Sequence, residues 1–191
     1  VTQIGLEAGE GADIGIENKS FILKRIFLSN PAIKEIAYVG LSGKEEVRIN
    51  ELNSNGVSEE NLRDLSKDES FIAARNGNYY MGKVYFEGSN PVAMVSSPGK
   101  NTSGNIVSVL RSKVSLARIQ SILHGAIIGG SGYVYLVDER GTVIAGGLDG
   151  PLLGSNAGNN EIVQYLIKGN DFIGPEKQAR YENFMSDEVV A

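Results

Sequence analysis

The chain has no cysteine and no tryptophan, and its only histidine is His124. Without cysteine it can hold no disulfide, no thiolate metal site and no thiol nucleophile. A single histidine leaves little for a catalytic triad or an imidazole metal centre. It also has no run of the ~18 uncharged apolar residues needed to cross a membrane as a helix. The longest candidate, Gly125–Val137, is shorter and carries four glycines and a serine. Basic charge is scarce too, with 18 Lys+Arg against 23 Asp+Glu and a formal net charge of −5. That balance argues against nucleic acid as a partner, since such domains carry a basic patch. The opening Val1–Gly15 is acidic and glycine-rich, without the apolar core of a signal peptide. What remains is ordinary globular composition, 41% hydrophobic and 21% charged over 191 residues.

Apolar periodicity gives a helix over Glu17–Asn30, with Ile22, Leu23, Ile26 and Phe27 at helical spacing; Pro31 ends it. Two strands, Ile36–Leu41 and Glu45–Asn50, then flank the turn Ser42-Gly43. Helical stretches are expected from Ser58-Glu59-Glu60 through Leu65 and from Lys67-Asp68-Glu69 through Ala74. After Asn76-Gly77 the period becomes that of strands, at Tyr79–Phe86, Pro91–Ser97 and Asn105–Leu116. In the last of these Ile106, Ser108, Leu110, Ser112 and Val114 share one face, and Val107, Val109, Arg111 and Lys113 the other. This is a five-stranded antiparallel sheet with helices packed on it.

A helix over Ala117–Ile128, a hairpin of Tyr133–Asp138 and Thr142–Ala145, a helix over Asn159–Lys168 and a strand at Glu188–Val190 complete the chain. The second hairpin repeats the first: Gly141 and Val137 stand 98 positions after Gly43 and Val39. The chain therefore reads as two tandem copies of one α+β module, the second incomplete.

Catalytic and nucleotide motifs fail one by one. Gly43-Lys44 and Gly99-Lys100 lack the earlier glycine and following Ser/Thr of a phosphate loop, having Tyr38 and Glu45, or Met94 and Asn101, at those positions. Gly9-Glu10-Gly11 has no preceding strand and no third glycine. Gly129–Tyr133 misses the last glycine of a nucleophile elbow, and Ser97-Pro98-Gly99-Lys100 is a turn rather than a helix start. His124 lies in an amphipathic helix, where a structural or solvated role is expected. Asp138-Glu139 and Asp187-Glu188 are turn carboxylates without calcium-loop spacing. Neither a cofactor nor a metal site is expected.

The block Ile106–Leu116, a helix, then Ile128–Ala145, with Gly130-Ser131-Gly132-Tyr133-Val134-Tyr135-Leu136-Val137-Asp138 and Gly141, resembles the double Cache sensor domains. These are the PAS-like extracytoplasmic input domains of histidine kinases, chemoreceptors and diguanylate cyclases. Asn30-Pro31, Ile33, Ile36 and Gly43-Lys44-Glu45 are similar to the family's entry into its first sheet. The resemblance implies an α+β fold: an N-terminal helix and two tandem PAS-like modules, each an antiparallel sheet flanked by helices. It implies residues 1–30 as the N-terminal segment, 31–115 as the membrane-distal module and 116–191 as the connecting helix and membrane-proximal module. It places the domain outside the cytoplasm, attached through flanking membrane helices beyond this sequence, in a receptor expected to be a homodimer. Two departures stand out: Ala145–Asp149 replaces a His-Pro-Asp-like stretch, and the missing tryptophan excludes the Arg-x-Trp-Tyr motif of the amino-acid-binding subgroup.

By position, the resemblance points to a small-molecule site in the first module, with Arg75, Tyr79, Tyr80, Lys83, Tyr85, Met94 and Ser96 as candidates. A guanidinium fork and phenol hydroxyls suit a small carboxylate such as an organic acid. Binding rather than catalysis is the expected mechanism, in a receptor whose output is most simply a sensor histidine kinase. Two alternatives stay open: a ligand-free or partner-protein-sensing and dimerisation module, and a soluble enzyme using Arg75, His124 or Asp138.

Overall fold

The computed structural model describes residues 15–124, 133–147, 153–168, 180–182 and 188–190. The Gly130–Gly132 part of the resemblance lies outside the described residues, as does the end of the helix expected to reach Ile128. The described residues group into two compact units: one up to Lys83 with Val92–Ser115, the other Val84–Pro91 with Leu116 onward.

In the first unit α1 (Ile16–Ser29) buries Leu23 against β1 (Ile33–Gly40) and β2 (Glu45–Asn50), with Ile36, Tyr38, Val47 and Ile49 completing the cluster. Asn30 closes the helix, its side-chain amide donating to Ile26 O at 2.8 Å, and Pro31 prevents continuation. A single 3₁₀ turn at Glu59–Asn61 precedes α2 (Glu69–Arg75). Asp68 caps α2 by accepting from the N–H groups of Ser70 (2.9 Å) and Phe71 (3.3 Å). Phe71 and Ala74 on α2 are fully buried with Ala37, Val39, Leu65 and Val109. The sheet therefore carries α1 on one face and α2 on the other.

The remaining strands are β3 (Tyr80–Met81), β4 (Tyr85–Glu87), which hairpins into the start of β5 (Asn90–Lys100), and β6 (Ile106–Ser115). The antiparallel order β2-β1-β6-β5-β3 is the expected five-stranded sheet, with β4 as a sixth strand off that path. Three sequence expectations need correction. Ser97–Lys100 is not a turn but the end of β5, paired with β6. Ser58–Leu65 is not a helix beyond its 3₁₀ turn, because its backbone bonds to the hairpin instead. Glu45 N donates to Arg63 O at 2.9 Å and Leu65 N to Gly43 O at 2.7 Å. Tyr79–Phe86 is not one strand, because it breaks at Gly82 between β3 and β4.

In the second unit α3 (Ala117–His124), β7 (Tyr135–Val137), β8 (Val143–Gly146) and α4 (Glu161–Ile167) appear in the expected order. A further two-stranded sheet joins β9 (Arg180–Glu182) to β10 (Glu188–Val190). Val143 on β8, Ala157 and Val163 on α4 form a core cluster of this unit.

The 98-residue repeat holds at the level of individual hydrogen bonds. The pairs Tyr38–Val47 and Val39–Glu45 of the first hairpin reappear as Leu136–Ala145 and Val137–Val143, each with a bulge at the same step. Gly43 (φ 92°) and Gly141 (φ 80°) both turn in the left-handed region. A returning segment then crosses each hairpin, bridging Lys44 to Asp64 and Thr142 to Asn156. From there the offset drops to 92, as Asp64 and Asn156 show, so the second crossing loop is six residues shorter. Asp64 bonds Ser66 N and Asn156 bonds Gly158 N, and Asp68 caps α2 as Asn160 caps α4.

Candidate functional site

Directly opposed residues on neighbouring strands share a face of the sheet. Arg48 (β2), Ala37 (β1), Arg111 (β6), Ser96 (β5) and Tyr80 (β3) form one such row, on the face covered by α2. The next row brings Glu35, Lys113 and Met94 together, with Gly82 N donating to Met94 O at 2.7 Å.

Arg111 is the centre of the first row. Its side chain is only 11% exposed, and one Nη donates to Asp68 Oδ2 at 3.1 Å. Its Nε donates to Ser70 Oγ at 3.0 Å, and the Ser70 hydroxyl donates in turn to Asp68 Oδ1. Asp68 thus divides its oxygens, Oδ1 capping α2 and Oδ2 pairing with Arg111. Burial works against its charge, yet hydrogen bonds from Ser70, the Arg111 guanidinium and the Phe71 N–H hold its carboxyl below the ordinary carboxylate range.

Tyr80 donates its hydroxyl to Glu69 Oε2 at 3.3 Å. Burial and the Glu69 charge push the phenol up from its ordinary value. Between Tyr80 and Arg111, Ser96 is 4% exposed, and its Oγ has no hydrogen-bond partner among the described residues. A buried hydroxyl without a partner costs roughly 1–3 kcal/mol. It is the kind of group that a bound polar molecule satisfies.

At the other end of the row, two glutamates and two arginines close on one another. Arg63 Nε donates to Glu45 Oε1 at 2.9 Å, and its Nη2 pairs with both Glu45 and Glu35. Arg48 reaches Glu45 at 3.2 Å and Glu35 at 3.5 Å. With Glu45 fully buried and the charges balanced, this network ties the crossing loop to the hairpin.

Of the seven residues expected at a site, Tyr80, Ser96 and Met94 come together on the α2 face. Arg75 is exposed at the end of α2, its guanidinium 5.4 Å from the Phe71 ring centre. Tyr79 is 73% exposed, Lys83 is exposed, and Tyr85 belongs to the second unit. The sequence reading missed Arg111, Asp68 and Ser70 as site residues. The available signal was Arg111 beside Val109 on one face of a central strand, where a charge needs a partner.

Two of the residues considered for an enzyme, Asp138 and His124, make local contacts. Asp138 accepts from the N–H groups of Arg140 (2.9 Å) and Thr142 (2.8 Å) in its hairpin turn. His124 is exposed and lies 2.6 Å from the Gln120 amide, which also holds both polar backbone groups of Gly146. Among the described residues no three His, Asp or Glu side chains gather as a metal set, and no helix is long and apolar enough to cross a membrane.

No family model and no curated protein matches the chain. Solved structures do. The sensory domain of the Campylobacter jejuni chemoreceptor Tlp3 aligns over 92% of this chain and 67% of its own, with 17% identity and a TM-score of 0.67. The extracellular domain of mmHK1S-Z2, described as a histidine kinase, aligns over 92% and 75%, with 13% identity and a TM-score of 0.65. A domain of a sensory box/GGDEF family protein from Vibrio parahaemolyticus aligns over 92% and 76%, with 17% identity and a TM-score of 0.55. The chain spans from about half to three quarters of the length of such domains, 53% in the case of the extracellular domain of vpHK1S-Z8. The fold is that of extracellular sensory domains of histidine kinases and chemoreceptors, the PAS-like Cache fold that the sequence resembles.

Proposed function

We propose that the chain is the ligand-sensing part of an extracytoplasmic receptor domain, most simply that of a sensor histidine kinase. It takes a small carboxylate on the α2 face of the first sheet, in the membrane-distal module. The observation that carries this reading is the Ser96 hydroxyl, buried and unpartnered between Arg111 and Tyr80. Arginine offers a planar fork for a carboxylate, and the Ser96 and Tyr80 hydroxyls offer further donors. Tlp3 has been solved with isoleucine and with L-valine, which shows how small a ligand one domain of this fold accepts. The absence of tryptophan separates this chain from the Arg-x-Trp-Tyr pattern and leaves organic acids as the first class to try.

Ligand would favour one arrangement of the module by no more than its differential affinity for the two. Relay runs through α1 toward membrane segments flanking this sequence, in a homodimeric receptor. The test is a thermal-shift panel of organic acids, amino acids, amines and sugars. A ligand at 100 times its Kd stabilises the fold by about 2.7 kcal/mol. A flat response across the panel would instead favour a module that senses a partner protein, a reading helped by the fact that Asp68 already neutralises Arg111.

A further inference from the structure

The guanidinium best placed to receive a carboxylate already holds one. Asp68 Oδ2 lies 3.1 Å from Arg111, on the same row as the unpartnered Ser96 hydroxyl and the Tyr80 phenol. The two Asp68 oxygens do separate work: Oδ1 takes the Ser70 and Phe71 N–H groups, while Oδ2 meets only Arg111 among the bonds described. Removing Oδ2 from Arg111 therefore leaves the α2 cap standing.

We propose that Asp68 is a built-in competitor for the ligand carboxylate, occupying Arg111 when no ligand is present and setting the affinity of the site. This deepens the ligand-sensing reading and rests on it. A ligand acid must displace Oδ2 and leave Asp68 with its cap contacts alone, so only molecules with further donors or acceptors for Ser96 and Tyr80 gain enough to bind. A bare carboxylate exchanges one ion pair for another and gains little. Asp68 thus acts as a selectivity filter: it discriminates against simple anions in favour of a ligand that fills the row.

The test uses acetate, which carries the carboxylate and almost nothing else. Asp68→Asn keeps Oδ1 and serves equally well as a helix cap, so the fold is retained. With the competing charge gone, acetate is expected to bind Asp68→Asn at least tenfold more tightly than wild type by calorimetric titration, equivalent to about 1.4 kcal/mol. The control Asp64→Asn, at an exposed aspartate bonded to Ser66 N, leaves acetate affinity unchanged. Adding Arg111→Gln to Asp68→Asn removes the gain. Acetate affinity that is equal or weaker in Asp68→Asn, or a gain that survives Arg111→Gln, overturns the proposal. A ligand from the panel that binds wild type and Asp68→Asn equally well overturns it too, while leaving the ligand-sensing reading intact.

Discussion

Replacing Gly43 by alanine tests whether the crossing of each hairpin is a physical constraint or a coincidence of numbering. At φ 92° an alanine costs about 1–2 kcal/mol over glycine. Its Cβ would also stand 2.6 Å from Ser66 N, a backbone atom that no rotamer change moves away. Ser66 must shift, and with it the bonds Leu65 N to Gly43 O and Glu45 N to Arg63 O, each worth about 0.5–1.5 kcal/mol. The expected loss is about 2–5 kcal/mol, read as a lower midpoint in urea unfolding followed by circular dichroism. Gly104→Ala separates the two causes, because that residue has φ 82° and nothing within 4 Å of its Cβ position; only the backbone cost applies there. Gly141→Ala repeats the experiment in the second unit, where Gly158 N lies 2.8 Å from the added Cβ. If Gly43→Ala and Gly141→Ala cost no more than Gly104→Ala, the crossing segments are not pressed against their hairpins and the argument fails.

Phe71→Ala removes a fully buried ring from beneath α2 and is expected to cost about 3–5 kcal/mol in the same unfolding assay. A loss below about 1 kcal/mol would mean that α2 does not seal this face of the sheet. The Asp68 carboxyl, held below its ordinary value of 3.8 in the folded chain, stabilises the fold fully above that value. That contribution is lost as pH falls from about 4 through the lower folded value. Asp68→Asn should therefore lose less stability than wild type between pH 5 and pH 2 in urea titrations. Parallel acid limbs for the two proteins would contradict the lowering of the Asp68 carboxyl by Ser70 and Arg111.

Much of the fold was legible because its signals are local. Leu23 and Ile26 give α1 by periodicity, Pro31 stops it, and Gly43 and Gly141 mark two turns 98 residues apart. The crossing loop was misread because Glu59 and Glu60 look like a helix start, while the backbone of Arg63 and Leu65 is claimed by a hairpin 18 or more residues earlier. The break at Gly82 was missed for a similar reason. Apolar residues run on through Tyr85, but the β3–β5 pairing ends with Gly82 N on Met94 O, and the chain leaves that ladder over Lys83-Val84 before β4. The site divided along the same line. Tyr80, Met94 and Ser96 are strand residues whose face follows from alternation. Arg111 meets Asp68 and Ser70 across 43 and 41 residues, a pairing that only the sheet register creates.

The central claim, that a small carboxylate is received on the α2 face of the first sheet, is tested most directly by NMR titration of the isotope-labelled chain with a panel ligand. Saturable shifts of the Arg111 side-chain Nε–H and of the Ser70, Ser96 and Tyr80 amides are expected, all with one Kd. Saturable shifts confined to other residues, with Arg111 and Ser96 unmoved, would contradict it.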